Sequence, residues 1–458
     1  MTSQHLLDAT WRSLLVAPKP GDDLRIRRLV DEFRGVELDR SDLGSLAGPR
    51  HRDEAGHRWL RYKEAFSPAL VRAILDGWSG IDGLLLDPFA GSATSLLVAV
   101  ERGLDAVGVE LLPYTRWAAD AVVRAHGADG AVLRSMTANA AAKSRIGRVG
   151  VRWALPVPAA TWALSDEVSG ALLSLREALP PRGTRVEADL AHLALMSVVE
   201  SVSVSVKDGT SLRHRERERP GRTTRPGRKG QQFNRNQVVD AFLAATQVIV
   251  DDLPKIPGGT AARVLMGDAR QMPLRDGAVD VAVFSPPYPN RYDYSAVYQL
   301  ELAAGGFVHV PEDLRRIRKS LLRSHLEAPP AEHPVLDDPA VLAVLRAVAA
   351  AAEEGPKERG RTLRMLVGYF DDMRQVLAEL RRVLRPGAPA ACVVATQTYF
   401  GHPVPTDVML ASMARRAGLL VEELWVLRHK RIAVQQRARG DLASTGGRES
   451  VLLLRRPG

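Results

Sequence analysis

The stretch Gly83-Leu-Leu-Leu-Asp87-Pro-Phe-Ala-Gly-Ser-Ala-Thr94 has the form of a strand running into a glycine-bearing turn. A short, unbroken apolar run is what a strand buried on both faces of a parallel sheet looks like. The apolar residues after Thr94 predict a helix to Arg102, closed by Gly103. Leu104–Glu110 then reads as a second strand and Pro113–Ala125 as a second helix, which completes a βαβ unit. On the amino side, Ser67 is placed to cap a helix that opens at Pro68.

Working outward, the same rhythm returns at Arg263–Asp268 and at Val279–Phe284, which runs straight into Ser285-Pro-Pro-Tyr288. Helices are predicted at Ser295–Ala304, Glu312–Leu326, Pro339–Glu354, Arg361–Leu384 and Asp407–Ala417, and a strand at Ala390–Ala395. Leu419–Leu427 and Glu449–Leu454 pair as a closing hairpin. The expected fold is α/β, a Rossmann-like core with a mostly parallel sheet and helical insertions. Residues 51–125 and 255–458 form that core, and 1–50 is an extension of mixed, charged composition with no clear period. Residues 126–254 are a helical insertion holding a basic loop at 207–235, and 305–360 a helical excursion suited to target recognition.

Composition narrows the classes. The 458 residues are 45% hydrophobic and 25% charged, which excludes wholesale disorder. Lys and Arg number 63 against 53 Asp and Glu, a net charge of +10 that favours a polyanionic partner. The single cysteine, Cys392, excludes an internal disulfide and any multi-cysteine zinc site. The scattered histidines lack ligand spacing, so no metal is expected. The amino terminus lacks a basic region followed by a long apolar core, and the longest apolar stretch, around Val341–Ala352, is broken by Arg346. A cytoplasmic protein is expected.

Two constellations carry chemistry. In Asp87–Thr94, Gly91 lets the backbone approach a ligand closely and the following helix supplies free N–H groups. Glu110, at the next strand tip, is placed to accept from two ribose hydroxyls. Such a turn alone is common, and there a glycine often does no more than relieve strain. In Ser285–Tyr288, two prolines make a rigid turn that lacks two backbone donors and leaves carbonyls pointing outward. Ser285 and the Pro286 carbonyl suit the hydrogens of an exocyclic amino group, and Tyr288 offers a ring face. The plain alternative is a proline-rich loop with Tyr288 as rim packing.

Asp87-Pro-Phe-Ala-Gly-Ser-Ala-Thr94, Gly108-Val-Glu-Leu-Leu-Pro-Tyr114, Gly267-Asp-Ala-Arg270 and Phe284-Ser-Pro-Pro-Tyr-Pro-Asn-Arg-Tyr-Asp-Tyr294 occur in the order of a known motif series. Together they resemble S-adenosylmethionine-dependent DNA amino-methyltransferases, and the Ser-Pro-Pro-Tyr form resembles the cytosine-N4 enzymes most. Tyr62–Pro68 is similar to the cofactor-side motif that precedes the first strand. Val206–Gly209 and the terminal Arg448–Leu452 extend the likeness. The resemblance implies S-adenosylmethionine as cofactor and DNA as partner, with a base flipped out of the duplex, and it allows a restriction endonuclease in the same system.

Residue by residue, it implies that Asp87, Phe89 and Gly91 line the methionine and ribose part of the cofactor, beside Ser92 and Thr94. Glu110 holds the ribose, Asp268 the adenine amino group, and Phe66 and Ser67 close the pocket. Ser285, Pro286, Pro287 and Tyr288 form the catalytic turn. The chain departs from the family at Ala93, where a second glycine is usual.

The expected reaction is methyl transfer to a base amino group, cytosine N4 ahead of adenine N6. An RNA guanine-N2 or small-molecule methyltransferase and an inactive DNA-binding relative are the alternatives. Carbon-5 cytosine methylation needs a thiolate, and Cys392 sits mid-strand as a core residue. Arg213–Lys229 carries eight Lys/Arg and two Glu. Arg213, Arg215, Arg217, Arg219, Arg222, Arg225, Arg228 and Lys229 are expected either to contact phosphates or to form a solvated linker of biased composition. Arg291 is a further phosphate candidate, although an Arg291–Asp293 pair is the simpler expectation.

Overall fold

Eight strands hydrogen-bond into one sheet, and a computed structural model gives their order. It describes residues 14–15, 18–46, 53–60, 62, 65–146, 153–208, 211–214, 233–352, 358–429 and 447–458. The strands are β1 (Glu37–Asp39), β2 (Leu84–Asp87), β3 (Asp105–Glu110), β4 (Ser205–Asp208), β5 (Ser211–His214), β6 (Ala262–Met266), β7 (Val281–Phe284), β8 (Pro389–Ala395), β9 (Gln397–Tyr399), β10 (His402–Val404), β11 (Leu420–His429) and β12 (Arg448–Arg455). The large sheet runs β1-β11-β12-β8-β7-β2-β3-β6, and two small hairpins, β4-β5 and β9-β10, stand apart from it. All its pairings are parallel except those of β12 with β11 and β8. This is a Rossmann-like α/β sheet finished by an antiparallel hairpin, as the strand pattern predicts.

The central strands bury both faces, which is why they read as unbroken apolar runs. Leu85 of β2 and Val281 and Val283 of β7 enter one core cluster, while Leu86, Ala282 and Phe284 enter the other. Successive side chains of a strand point to opposite faces, so one short segment supplies both cores. Helices Pro68–Asp76, Thr94–Glu101 and Pro113–Val123 cover the first face, and Asp22–Arg34, Pro339–Ala351, Arg359–Val383 and Thr406–Arg416 the second.

Three local expectations change. The amino-terminal segment is not featureless: helix Asp22–Arg34 buries Ile26, Leu29 and Phe33, and β1 adds an edge strand parallel to β11. The stretch from Lys207 opens as the β4-β5 hairpin rather than as loop. Lys207 is drawn inward to Glu301 and lies 3.7 Å from Glu200, which orders the strand. The helix expected over Glu312–Leu326 stops at Ser320, and Leu321 turns extended. Beyond that turn the Arg323 N–H donates to Asp372 at 2.8 Å. Residues 215–232 lie outside the described residues, and with them Arg215, Arg217, Arg219, Arg222, Arg225, Arg228 and Lys229.

Between β3 and β6 lie helices Gly130–Arg145, Asp166–Ala178, Val186–Val199 and Arg235–Asp252, the last opened by an Asn234–Gln237 capping box. Asp189 ties the third of them to the core, accepting from Trp117 Nε1 at 3.0 Å and from Arg124 at 2.9 Å. Among the described residues no helix is long and apolar enough to cross a membrane.

Candidate active site

β2 and β7 are parallel neighbours, with Leu85 opposite Val281 and Leu86 opposite Ala282. Asp87 and Ser285 therefore leave the sheet side by side at its carboxyl edge, where open α/β sheets bind ligands. A cleft of about 1020 Å³, counted to its open mouth, joins the two turns.

The first turn is shaped by a few directed bonds. Asp87 is buried; its carboxylate accepts from the Phe89 N–H at 2.9 Å and from the Ser95 hydroxyl. Burial raises its pKa to about 7, against the pull of those two donors. Gly91 takes a positive φ of 49°, and a Cβ there would stand 3.0 Å from the Tyr62 ring. Gly108 on β3 is required for a different reason, since a Cβ would come within 2.6 Å of Ala90 Cβ. Ala93 is left-handed at φ 62° and ψ 24°, at the N-cap of helix Thr94–Glu101.

Glu110 receives the Gly91 N–H on one carboxylate oxygen and the Leu112 N–H on the other, both at 2.9 Å. Burial pushes its pKa upward. The Thr115 side chain and the Leu111 N–H also act on the carboxylate and favour its charged form. Phe66, Phe89, Gly91, Ser92, Thr94, Glu110 and Asp268 all line the cleft. Asp87 and Ser67 do not. Ser67 instead caps helix Pro68–Asp76 through the Leu70 N–H at 3.2 Å and donates to the Leu46 carbonyl. The Asp268 carboxylate is held by Arg270 at 2.6 Å, and Arg270 reaches on to Asp372 at 3.0 Å.

The second turn stands opposite. Ser285, Pro286, Pro287 and Tyr288 all line the cleft. The Ser285 hydroxyl donates to the Val393 carbonyl at 3.0 Å, with the Tyr288 hydroxyl 3.3 Å away. Tyr399 on β9 donates to the Pro289 carbonyl and braces the turn from behind. Phe89 and Phe284, from the two strand ends, have ring centroids 6.1 Å apart.

Arg291 does not pair with Asp293. It is left-handed at φ 72°, reaches Glu358 at 2.9 Å and Thr362 at 3.1 Å, and lies over the Tyr399 ring. Asp293 caps helix Tyr294–Val297 and pairs with Arg318 at 2.8 Å. Local sequence suggested a local pair; the backbone turn at Arg291 sends the two side chains to different elements. Arg213 lies on β5 opposite Val206, half-buried.

The cleft also takes in residues to which the motifs gave no role. Tyr62 stacks on Tyr294 and Tyr298 at 5.7 and 5.6 Å. Asn290 follows the catalytic turn, and Leu321, Leu322, Ser324 and His325 arrive from beyond helix Pro311–Ser320. Tyr62, Asn290 and Tyr294 fall inside quoted motifs, but the 321–325 segment has no sequence signal. Cys392 is buried on β8 between Phe284 and Leu452, and burial raises its thiol pKa far above the usual range. It is absent from the cleft wall. Among the described residues no cluster of three or more His, Cys, Asp or Glu is arranged to hold a metal.

No family model matches the chain. It is 26% identical over 416 residues to the Type II methyltransferase M.AvaI of Nostoc sp., covering 81% of this chain and 80% of that protein. M.BsoBI of Geobacillus stearothermophilus, also a Type II methyltransferase, is 24% identical over 463 residues, covering 89% of this chain and 87% of its own length. A third, M.MjaII of Methanocaldococcus jannaschii, is 30% identical over 88 residues, 19% of this chain and 17% of its own length. Among solved structures, a geranyl diphosphate methyltransferase in complex with GPP and sinefungin superposes at a TM-score of 0.31 with 11% identity, covering 100% of this chain and 99% of that one. That overlap is too loose to carry an argument. The chain is thus similar over most of its length to Type II methyltransferases, and the motif series it shares with S-adenosylmethionine-dependent enzymes is gathered round one cleft.

Proposed function

We propose that the chain methylates an exocyclic amino group of a DNA base, cytosine N4 ahead of adenine N6. The observation that carries this is the Ser285 hydroxyl: it lines the cleft, donates to the Val393 carbonyl and has the Tyr288 hydroxyl beside it, which leaves one lone pair for a donor in the cleft. An amino group conjugated to a ring is a poor nucleophile because its lone pair is delocalised. Ser285 Oγ and the Pro286 carbonyl accept its two hydrogens, favour a pyramidal nitrogen and turn the lone pair toward the cofactor half of the cleft. Tyr288 holds the ring by its face. When bound, S-adenosylmethionine supplies a methyl group made electrophilic by its sulfonium.

The residues present fit that cofactor. Glu110 presents its carboxylate to the cleft for the ribose hydroxyls, Phe66 and Phe89 wall it, and Gly91 lets the turn pass close to the Tyr62 ring without a side chain in the way. Asp268, with Arg270, stands at the adenine end. Asp87 and Ser67 act behind the wall as positioning groups. The reaction is one of alignment and directed hydrogen bonding, with no enzyme-bound intermediate.

Extruding the base costs a few kcal/mol, which phosphate contacts offset. The segment 213–229 is assigned to those contacts, and residues 305–360 to target recognition. A restriction endonuclease of matching specificity is the partner this reading implies.

The test is to incubate the protein and labelled cofactor with duplex DNA, with RNA or with neither, and to identify methylated nucleosides by mass spectrometry. N4-methylcytosine is expected. N6-methyladenine changes the base, and label confined to RNA or to free small molecules overturns the proposal. Ser285→Ala is expected to abolish turnover while cofactor binding is kept.

A further inference from the structure

Among the described residues neither ring nitrogen of His325 has a hydrogen-bond partner, yet the residue, 1% exposed, lines the cleft. Leaving a buried polar side chain unsatisfied is costly, so native structures seldom keep one without a use. Burial lowers the imidazole pKa and favours the neutral ring, which has one N–H donor and one acceptor.

The groups facing it do not satisfy it. The Asp293 carboxylate acts on it electrostatically but is already committed, one oxygen to Ser295 and the Ala296 N–H, the other to Arg318. The backbone of Arg318 also faces the ring without completing a hydrogen bond.

The segment bearing His325 is held in place. Its neighbour Ser324 accepts the Arg291 N–H at 3.0 Å, three residues beyond Tyr288, and Arg323 is bound to the buried Asp372. His325 is therefore fixed to the chain that leaves the catalytic turn, whereas the cofactor wall is built from the β2 and β3 ends.

We propose that His325 is a specificity-determining residue, whose imidazole N–H donates to the ring nitrogen next to the amino-bearing carbon of the target base. That atom is N3 of cytosine or N1 of adenine, an acceptor in both. The proposal rests on the amino-methylation reading above and adds to it the group that reads the ring edge. A site built to hydrogen-bond a substrate atom rejects an analogue that lacks it.

The experiment uses the full-length protein and a duplex in which the methylated base has been mapped. A second duplex carries 3-deazacytosine there, or 1-deazaadenine if the mapped base is adenine. The wild type is expected to lose about ten- to a hundredfold in kcat/KM on the deaza duplex. His325→Leu is expected to lose a similar factor on the natural duplex, to stop distinguishing the two, and to keep its S-adenosylmethionine dissociation constant within about twofold. His325→Gln, which retains an N–H donor, is expected to recover part of the loss. A wild type indifferent to the deaza base overturns the proposal without any variant. So does a His325→Leu protein that still discriminates, or one whose defect lies in cofactor affinity. A wild type that methylates no nucleic acid fails earlier and overturns the amino-methylation reading as well.

Discussion

Ala93, where the motif the turn resembles usually has a second glycine, takes a left-handed conformation that costs an ordinary L-residue about 1–2 kcal/mol. Its methyl is fully buried, worth about 0.8 kcal/mol, and glycine would add about 0.4–1 kcal/mol of unfolded-state entropy. These terms nearly cancel. Ala93→Gly is expected to change urea-unfolding stability by less than about 1 kcal/mol, whereas the β-branched Ala93→Val should cost more than about 2 kcal/mol. Asp87 makes a second residue-scale prediction. Its folded pKa of about 7 lies above the 3.8 of a free carboxyl, so the folded state binds the extra proton between those values. Its contribution to stability is present below pH 4 and declines as pH rises toward 7. Asp87→Asn removes that decline, and melts at pH 4, 5.5 and 7 should show the variant gaining on the wild type as pH rises.

At the scale of elements, helix Asp22–Arg34 is pinned to helix Pro339–Ala351 by a buried pair. Arg346 donates to both Asp22 oxygens at 2.7 Å, and both residues are about 5% exposed. Arg346 is the main reason that the Asp22 pKa falls to about 2. Removing one partner of a buried pair strands the other, so Arg346→Ala should cost about 3–5 kcal/mol. The Asp22→Ala/Arg346→Ala double variant should cost less than the sum of the single changes, which urea unfolding will show. Because the Asp22 pKa is depressed, the pair stabilises above pH 4 and is lost as pH falls through about 2. The helix was present in the sequence but went unread: Ile26, Leu29, Val30 and Phe33 keep helical spacing, yet dense charge conceals the stripe. The β4-β5 hairpin was not legible, because its order depends on Lys207 meeting Glu301 far along the chain.

For the whole molecule, binding a polyanion should follow counterion release, with the slope of log K against log salt falling by about 0.9 for each phosphate contact removed. Changing the eight Arg and Lys of 213–229 to Gln is expected to flatten that slope for duplex DNA, measured by fluorescence anisotropy from 50 to 300 mM salt; an unchanged slope would discard this segment as the phosphate contact. The sequence by itself determined the strand–turn–helix at Asp87–Thr94, the rigid Ser285–Tyr288 turn and the doubly buried strands. Each of these depends on local chemistry: apolar runs, a proline's missing donor, a glycine's freedom. Only the tertiary structure set β2 beside β7, took Asp87 and Ser67 off the cleft wall, sent Arg291 to Glu358 and brought His325 into the site. Strand order and the meeting of distant side chains follow from burial and hydrogen bonding summed over the whole sheet, which no window of neighbouring residues contains.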